Sequence, residues 1–277
     1  TSAPEVMIAA AAAVTSRIRV GAGGIMIPNH TPLRVIEIFR TLEALYPGRI
    51  DLGLGRAPGT DPLTFSALRR GDVEVNELLV ELMAFERGEF PARHPFSKIT
   101  PMPSDVRLSS IWMLGSTLAG ARIAAQLGLP YAFAGHFAMR DAKQAIETYR
   151  SLFQPSQQQE RPHVILAVTA VCGTDDADAE RLAAPIRLAI VKTRTGKREP
   201  IAGIEEALAY QYSDDEQAIA DDFLRGAVIG GPAKAAAGLR ALAADTGADE
   251  LMLSTLIPEA ATRVASLERI AGTLLAA

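Results

Sequence analysis

Residues 48–61, GRIDLGLGRAPGTD, decide how the rest of the chain is read. A short apolar run ends in G-x-G, the start of a dinucleotide-binding fingerprint. That fingerprint needs G-x-G-x-x-G, with the third glycine letting a helix pack closely on the strand. Here Gly59 comes one place late after Gly53 and Gly55, and Pro58 disfavours helix at Ala57, where the fingerprint's helix would already be under way. A second reading uses every residue. Gly53 and Gly55 strip side chains from the C-terminal end of a parallel strand so that a flat ligand can approach the backbone, and Arg56 stands at the mouth. A guanidinium there can clamp a phosphate through paired hydrogen bonds. The competing reading is an exposed arginine paired with Asp51 or Asp61.

Outward from this strand the pattern alternates. Helices are expected at 4–16, 31–45, 73–87, 117–127, 139–153, 176–191, 201–224, 232–245 and 258–275, with strands beginning near 17, 49, 110, 129, 163 and 248. AVIGG, 227–231, reads as a connection between helices. HVILAVTAVCG, 163–173, is apolar almost throughout, as a strand buried on both faces would be. The Pro-rich stretch 89–109 is long for a connection in a compact domain and is a candidate lid. Strands alternating with helices predict an α/β fold with a parallel sheet, a TIM (β/α)8 barrel forming one domain over 1–277. Six of its eight strands fall within the chain. Because the chain opens in a helix, a leading strand-helix-strand unit is expected upstream of Thr1.

The 277 residues are 48% hydrophobic and 22% charged, with a net charge of −4, which argues against disorder and against nucleic acid as a partner. The sole cysteine, Cys172, offers neither a disulfide framework nor a thiolate metal site and fits a reducing cytoplasm. PEVMIAAAAAV, 4–14, is too short to span a bilayer and lacks a basic leader, so no membrane association is expected. The four histidines, His30, His94, His136 and His163, show no metal-ligand spacing, and no metal site is expected.

Three further strand ends carry candidate chemistry. VGAGGIMIPNH, 20–30, places three glycines at a strand end with His30 just beyond, a hydrogen-bond donor to a ligand or a loop histidine with a local partner. WMLGSTLAGA, 112–121, sets Gly115, Ser116 and Thr117 where a strand meets a helix. Backbone N–H groups at that helix start make a phosphate seat, unless the hydroxyls simply cap the helix. YAFAGHF, 131–137, ends a strand with His136 among aromatics, a pocket wall or proton carrier, or else a packed ring. In a βα barrel these ends share one face. An anion clamp, a flat shelf and a phosphate seat together suit a phosphorylated planar cofactor such as FMN.

Four segments, RIRVGAGGIMIPNHTPLRV, TLEALYPGRIDLGLGRAPGTD, IWMLGS and TGADELML, in this order and separation, resemble the bacterial luciferase-like monooxygenase family, and the resemblance runs over essentially the whole chain. It implies a TIM-barrel flavoprotein that uses reduced FMN and dioxygen to oxygenate a small organic substrate, with a deazaflavin coenzyme as the alternative used by some relatives. It also implies a separate flavin reductase, a homodimer, and a non-proline cis peptide at Gly23–Gly24 under the flavin ring. Matched residue by residue, Arg56 takes the flavin phosphate, and Gly115 and Ser116 the phosphate turn. Where the luciferases carry an acidic residue before that serine, this chain has Gly115, so a backbone contact survives and a side-chain contact does not. A flavin-binding protein or partner subunit without turnover is the alternative function.

Overall fold

The computed structural model describes residues 2–57, 59–68, 74–197 and 199–275. They group into two compact units: one runs to Gly115 and includes Arg122–Tyr131 and Leu152–Pro162, and the other takes Ser116–Ala121, Ala132–Ser151 and His163 onward.

In the first unit the elements are α1 (Pro4–Ala13), β1 (Val20–Gly21), β2 (Ile25–Met26), α2 (Pro32–Leu45), β3 (Ile50–Gly55), α3 (Pro62–Ala67), α4 (Val75–Arg87) and β4 (Ser110–Gly115). All their strand pairings are parallel. The strand expected at 17–22 is split. Gly21 pairs with Asp51 and Ile25 with Leu54, so this edge carries one residue more than β3 over the same rise, a bulge spanning Ala22–Gly24. Both Gly53 and Gly55 lie inside β3, not in a turn leading to a helix, which removes the dinucleotide reading. Pro58, which also argued against it, lies outside the described residues, as does Val73 at the expected start of α4.

α2 begins with Pro32 in its first turn, where the missing N–H costs no helical bond, and buries Val35, Ile36, Phe39 and Leu42 along one face. Arg40 from the same helix is also buried and meets buried Glu86 of α4, Nε to Oε2, at 2.9 Å. Its other nitrogens donate to the carbonyls of Pro101 (3.1 Å) and Glu86 (2.9 Å), while Glu86 Oε1 accepts from the N–H of Leu108 at 2.8 Å. Arg107 adds a bond to the Glu86 carbonyl at 2.7 Å. The long Pro-rich stretch is thereby fastened to both helices. Because it leads into β4, it enters at the N-terminal end of the strand, away from the glycine-rich ends. The lid expectation is corrected: this segment is a brace.

α5 (Leu118–Leu127) and β5 (Tyr131–Phe133) have residues in both units. The second unit continues with α6 (Gly135–Ala138), α7 (Ala142–Leu152, all but its last residue), β6 (Val164–Cys172), α8 (Asp176–Arg194), α9 (Ile204–Ala209), α10 (Asp214–Leu224), β7 (Val228–Gly230), α11 (Pro232–Thr246), β8 (Glu250–Ser254) and α12 (Ala260–Leu275). Every residue of β6 is buried, as its apolar run predicts. It pairs in parallel with β8, from Ile165↔Glu250 to Thr169↔Ser254, and with β7, from Ala170↔Val228 to Cys172↔Gly230. AVIGG therefore forms a short strand where sequence gave only a connection. The helix expected over 201–224 is two helices, because Ser213 opens a new one with a reciprocal cap: its hydroxyl accepts from Glu216 N–H while Glu216 accepts from Ser213 N–H.

Candidate functional site

In the first unit the C-terminal ends of β2, β3 and β4 bring together several of the expected residues. The Gly23–Gly24 peptide is cis, as the family resemblance implies. The glycines here divide by what a side chain would meet. A Cβ on Gly24 would stand 2.7 Å from the Gly53 carbonyl oxygen, and one on Gly53 would run into the Ala22 carbonyl and Leu114. These two let backbone close on backbone, so Gly53 serves strand packing and does not open room for a ligand. Gly23 differs. Its nearest neighbour would be Leu114 Cδ2 at 4.0 Å, and for Gly55 the Ile25 carbonyl at 3.7 Å. The bare side of this strand end is at Gly23 and Gly55.

Arg56 follows Gly55 directly. Continuing the register in which Leu54 faces Met113 sets Arg56 level with Gly115 of β4. Neither acid weighed as its partner holds it. Asp51 takes Arg19 at 2.6 and 3.0 Å and the Trp112 indole at 3.1 Å. Asp61 caps α3, accepting from the N–H groups of Leu63 and Thr64 at 3.0 Å and from the Thr64 hydroxyl at 2.7 Å, and these bonds lower its pKa to about 2. Among the described residues Arg56 makes no ion pair. Its charge acts on Tyr131, a fully buried residue whose hydroxyl burial pushes well above the ordinary range while Arg56 pulls it back. His30 is exposed, and its backbone N–H closes a tight turn on the Ile27 carbonyl at 3.0 Å.

In the second unit, Thr117 caps α5: its hydroxyl accepts from Gly120 N–H at 3.3 Å and its carbonyl from Ala121 N–H at 3.2 Å. The capping reading of the sequence thus holds for Thr117. Ser116 is half-buried, and among the described residues its hydroxyl makes no hydrogen bond. His136 sits on the short helix α6, not at the strand end where sequence put it. It is hydrogen-bonded to the backbone of Ala167, its ring tilts against Phe137 at 4.0 Å between centroids, and its buried Nδ1 has no partner. Burial lowers its pKa and favours the neutral imidazole.

Sequence reasoning missed Tyr131, treated only as an aromatic, and Thr255, whose Oγ1 is buried without a partner just beyond β8. The signal for Thr255 was present: it is a hydroxyl residue at a C-terminal strand end, the criterion applied to β4. Among the described residues no three His, Cys, Asp or Glu side chains cluster as metal ligands, and no helix is long and apolar enough to cross a membrane.

The model of the luciferase-like monooxygenase family matches residues 2–250. A protein of Escherichia coli (strain K12), itself called a luciferase-like monooxygenase, is 39% identical over 272 residues, spanning 97% of this chain and 80% of its own length. The solved structure of apo-MsnO8 is similar with a TM-score of 0.86 at 33% identity, covering 98% of this chain and 81% of that one. The oxygenating constituent of 3,6-diketocamphane monooxygenase from Pseudomonas putida, solved in complex with FMN, gives a TM-score of 0.70 at 20% identity, covering 98% and 82%. At that identity the likeness is one of fold.

Proposed function

The chain belongs to the luciferase-like monooxygenase family and has its TIM-barrel type of fold, and from that premise we propose that it is a flavin-dependent monooxygenase using reduced FMN and dioxygen to oxygenate a small organic substrate. The observation that carries the reading is Arg56: a guanidinium one residue beyond a strand end, level with Gly115, with Asp51 and Asp61 both engaged elsewhere. Such a group suits a phosphate monoester, which accepts two parallel N–H bonds. The bare flank at Gly23 suits a flat ring, since a Cβ there would meet nothing nearer than 4.0 Å. The residues present therefore fit FMN.

When bound, reduced FMN supplies the two electrons with which dioxygen gives one oxygen atom to the substrate and the other to water. The chain's own part is to bind, orient and exclude water. Arg56 neutralises the phosphate, and Gly115 offers it backbone at the end of β4. Ser116 and Thr117 continue the same turn; with the Thr117 hydroxyl committed to its cap, Ser116 supplies the free hydroxyl. Gly23 and Gly24 present backbone to the ring. His136, neutral and with Nδ1 unpartnered, can hold or pass a proton to a polar group beside it, and His30 gives an exposed polar contact. A separate flavin reductase supplies reduced flavin, and the working form is a homodimer in the cytoplasm.

The test is oxygen uptake driven by NADH and a flavin reductase, with a panel of small organic substrates. Uptake that depends on substrate and yields a product heavier by one oxygen is expected. Tight FMN binding with no substrate-dependent uptake would instead make the chain a flavin-binding or partner protein. Tighter binding of a deazaflavin coenzyme than of FMN would replace the cofactor.

A further inference from the structure

In the second unit a cavity of about 710 Å³ opens between the turn that follows α6 and residues of α8 and α10. Its apolar wall includes Phe137, Ile219 and Phe223, and its rim carries Arg140, Arg194 and Arg225 against Asp141 and Asp222. Three guanidiniums face two carboxylates, and one of those carboxylates is shared: Asp222 lies 3.0 Å from Arg140 and 3.3 Å from Arg225. Arg194 makes no ion pair among the described residues. Its Cζ lies 6.0 Å from the centroid of the Phe223 ring. A guanidinium resting on an aromatic face keeps its N–H fork available to an incoming anion.

The apolar wall is preformed. Any side chain on Gly226 would collide with Met139, so the turn that carries Met139, directly after the helix α6 that holds Phe137, lies close against the connection between α10 and β7. Phe137 is 65% exposed, a large apolar surface beside the cluster of guanidiniums, and its inner side packs on His136 at 4.0 Å. An apolar wall with a few convergent polar groups is the usual make-up of a small-molecule site, and the excess here is one positive charge.

We propose that this cavity binds an organic anion, an aromatic or alkyl body bearing one carboxylate, with Arg194 receiving the carboxylate and Phe137 and Phe223 covering the body.

Calorimetric titration of the full chain with 4-phenylbutyrate and with 4-phenylbutyramide tests the proposal, because the two share a body and differ in charge. The acid is expected to bind about tenfold tighter, the scale of one charge-assisted contact. Arg194→Gln should bring the acid down to the amide and leave the amide unchanged, whereas Phe223→Ala should weaken both. Arg194 is exposed, so the folded state survives its replacement, and Arg240→Gln, on a helix outside the cavity, serves as the silent control. Equal affinity for acid and amide, binding of neither at millimolar concentration, or an Arg194→Gln protein that still prefers the acid would each overturn the assignment. FMN affinity measured on the same samples separates the two readings. Loss of FMN binding with the acid preference intact defeats the monooxygenase reading alone, and the reverse defeats only the cavity.

Discussion

The two units bring parallel strands together by opposite means. In the first, β3 gives up side chains at Gly53, and the Ala22 carbonyl and Leu114 occupy the space; Gly24 in turn lies against the Gly53 carbonyl. In the second, β6 keeps an apolar side chain or a small residue at every position and buries all nine. A strand end built from glycine leaves bare backbone at Gly23 and Gly55 and, at Arg56, a cation with no ion pair among the described residues, which suits a flat phosphorylated cofactor. The second unit instead carries a cavity with phenylalanines in its wall and arginines on its rim, which suits an organic anion.

The largest effect is expected beneath the glycine-rich ends. Glu86→Gln removes the carboxylate facing Arg40 while both remain buried, and breaking such a pair costs about 3–5 kcal/mol. Urea unfolding should show that loss, and one below about 1 kcal/mol would mean the brace is not what holds α2 to α4. A smaller effect separates two glycines two residues apart. Gly53→Ala should destabilise by about 1–3 kcal/mol through overpacking, whereas Gly55→Ala should change the unfolding midpoint little, since its Cβ would meet only an ordinary contact. Equal costs would break the distinction between the glycine that packs and the glycine that is bare.

The smallest effect lies in the second unit. Burial holds the His136 pKa below its ordinary value of 6.5, so folding favours the neutral ring. Its stabilising contribution is complete above about pH 6.5 and is lost as pH falls through the lower folded-state value. Unfolding midpoints taken from pH 8 down to 5 should fall less steeply for His136→Gln than for the parent chain. An unchanged slope would place the ring in water.

Much of the fold was legible because it rests on local patterns. The unbroken apolar run of β6 and Pro32 opening α2 each have one physical reading. What was not legible depends on contacts between distant segments. Gly53 was read as room for a ligand because nothing in GRIDLGLGRAPGTD shows the Ala22 carbonyl arriving from another strand. The stretch 89–109 looked like a lid because its fastening to Arg40 and Glu86 joins residues far apart in sequence. AVIGG was too short to declare itself a strand until paired with β6. At the site, the position of Arg56 followed from the strand pattern, but its freedom did not. That required seeing Asp51 taken by Arg19 and Asp61 spent on a helix cap.

In the function proposed here, Arg56 receives the phosphate of the flavin. Fluorescence titration of Arg56→Ala with FMN and with riboflavin, which shares the ring and lacks the phosphate, tests it directly. FMN affinity should fall about 10- to 100-fold, the scale of a hydrogen-bonded charge contact, with riboflavin affinity unchanged. Equal loss for the two ligands, or none for FMN, would contradict the account.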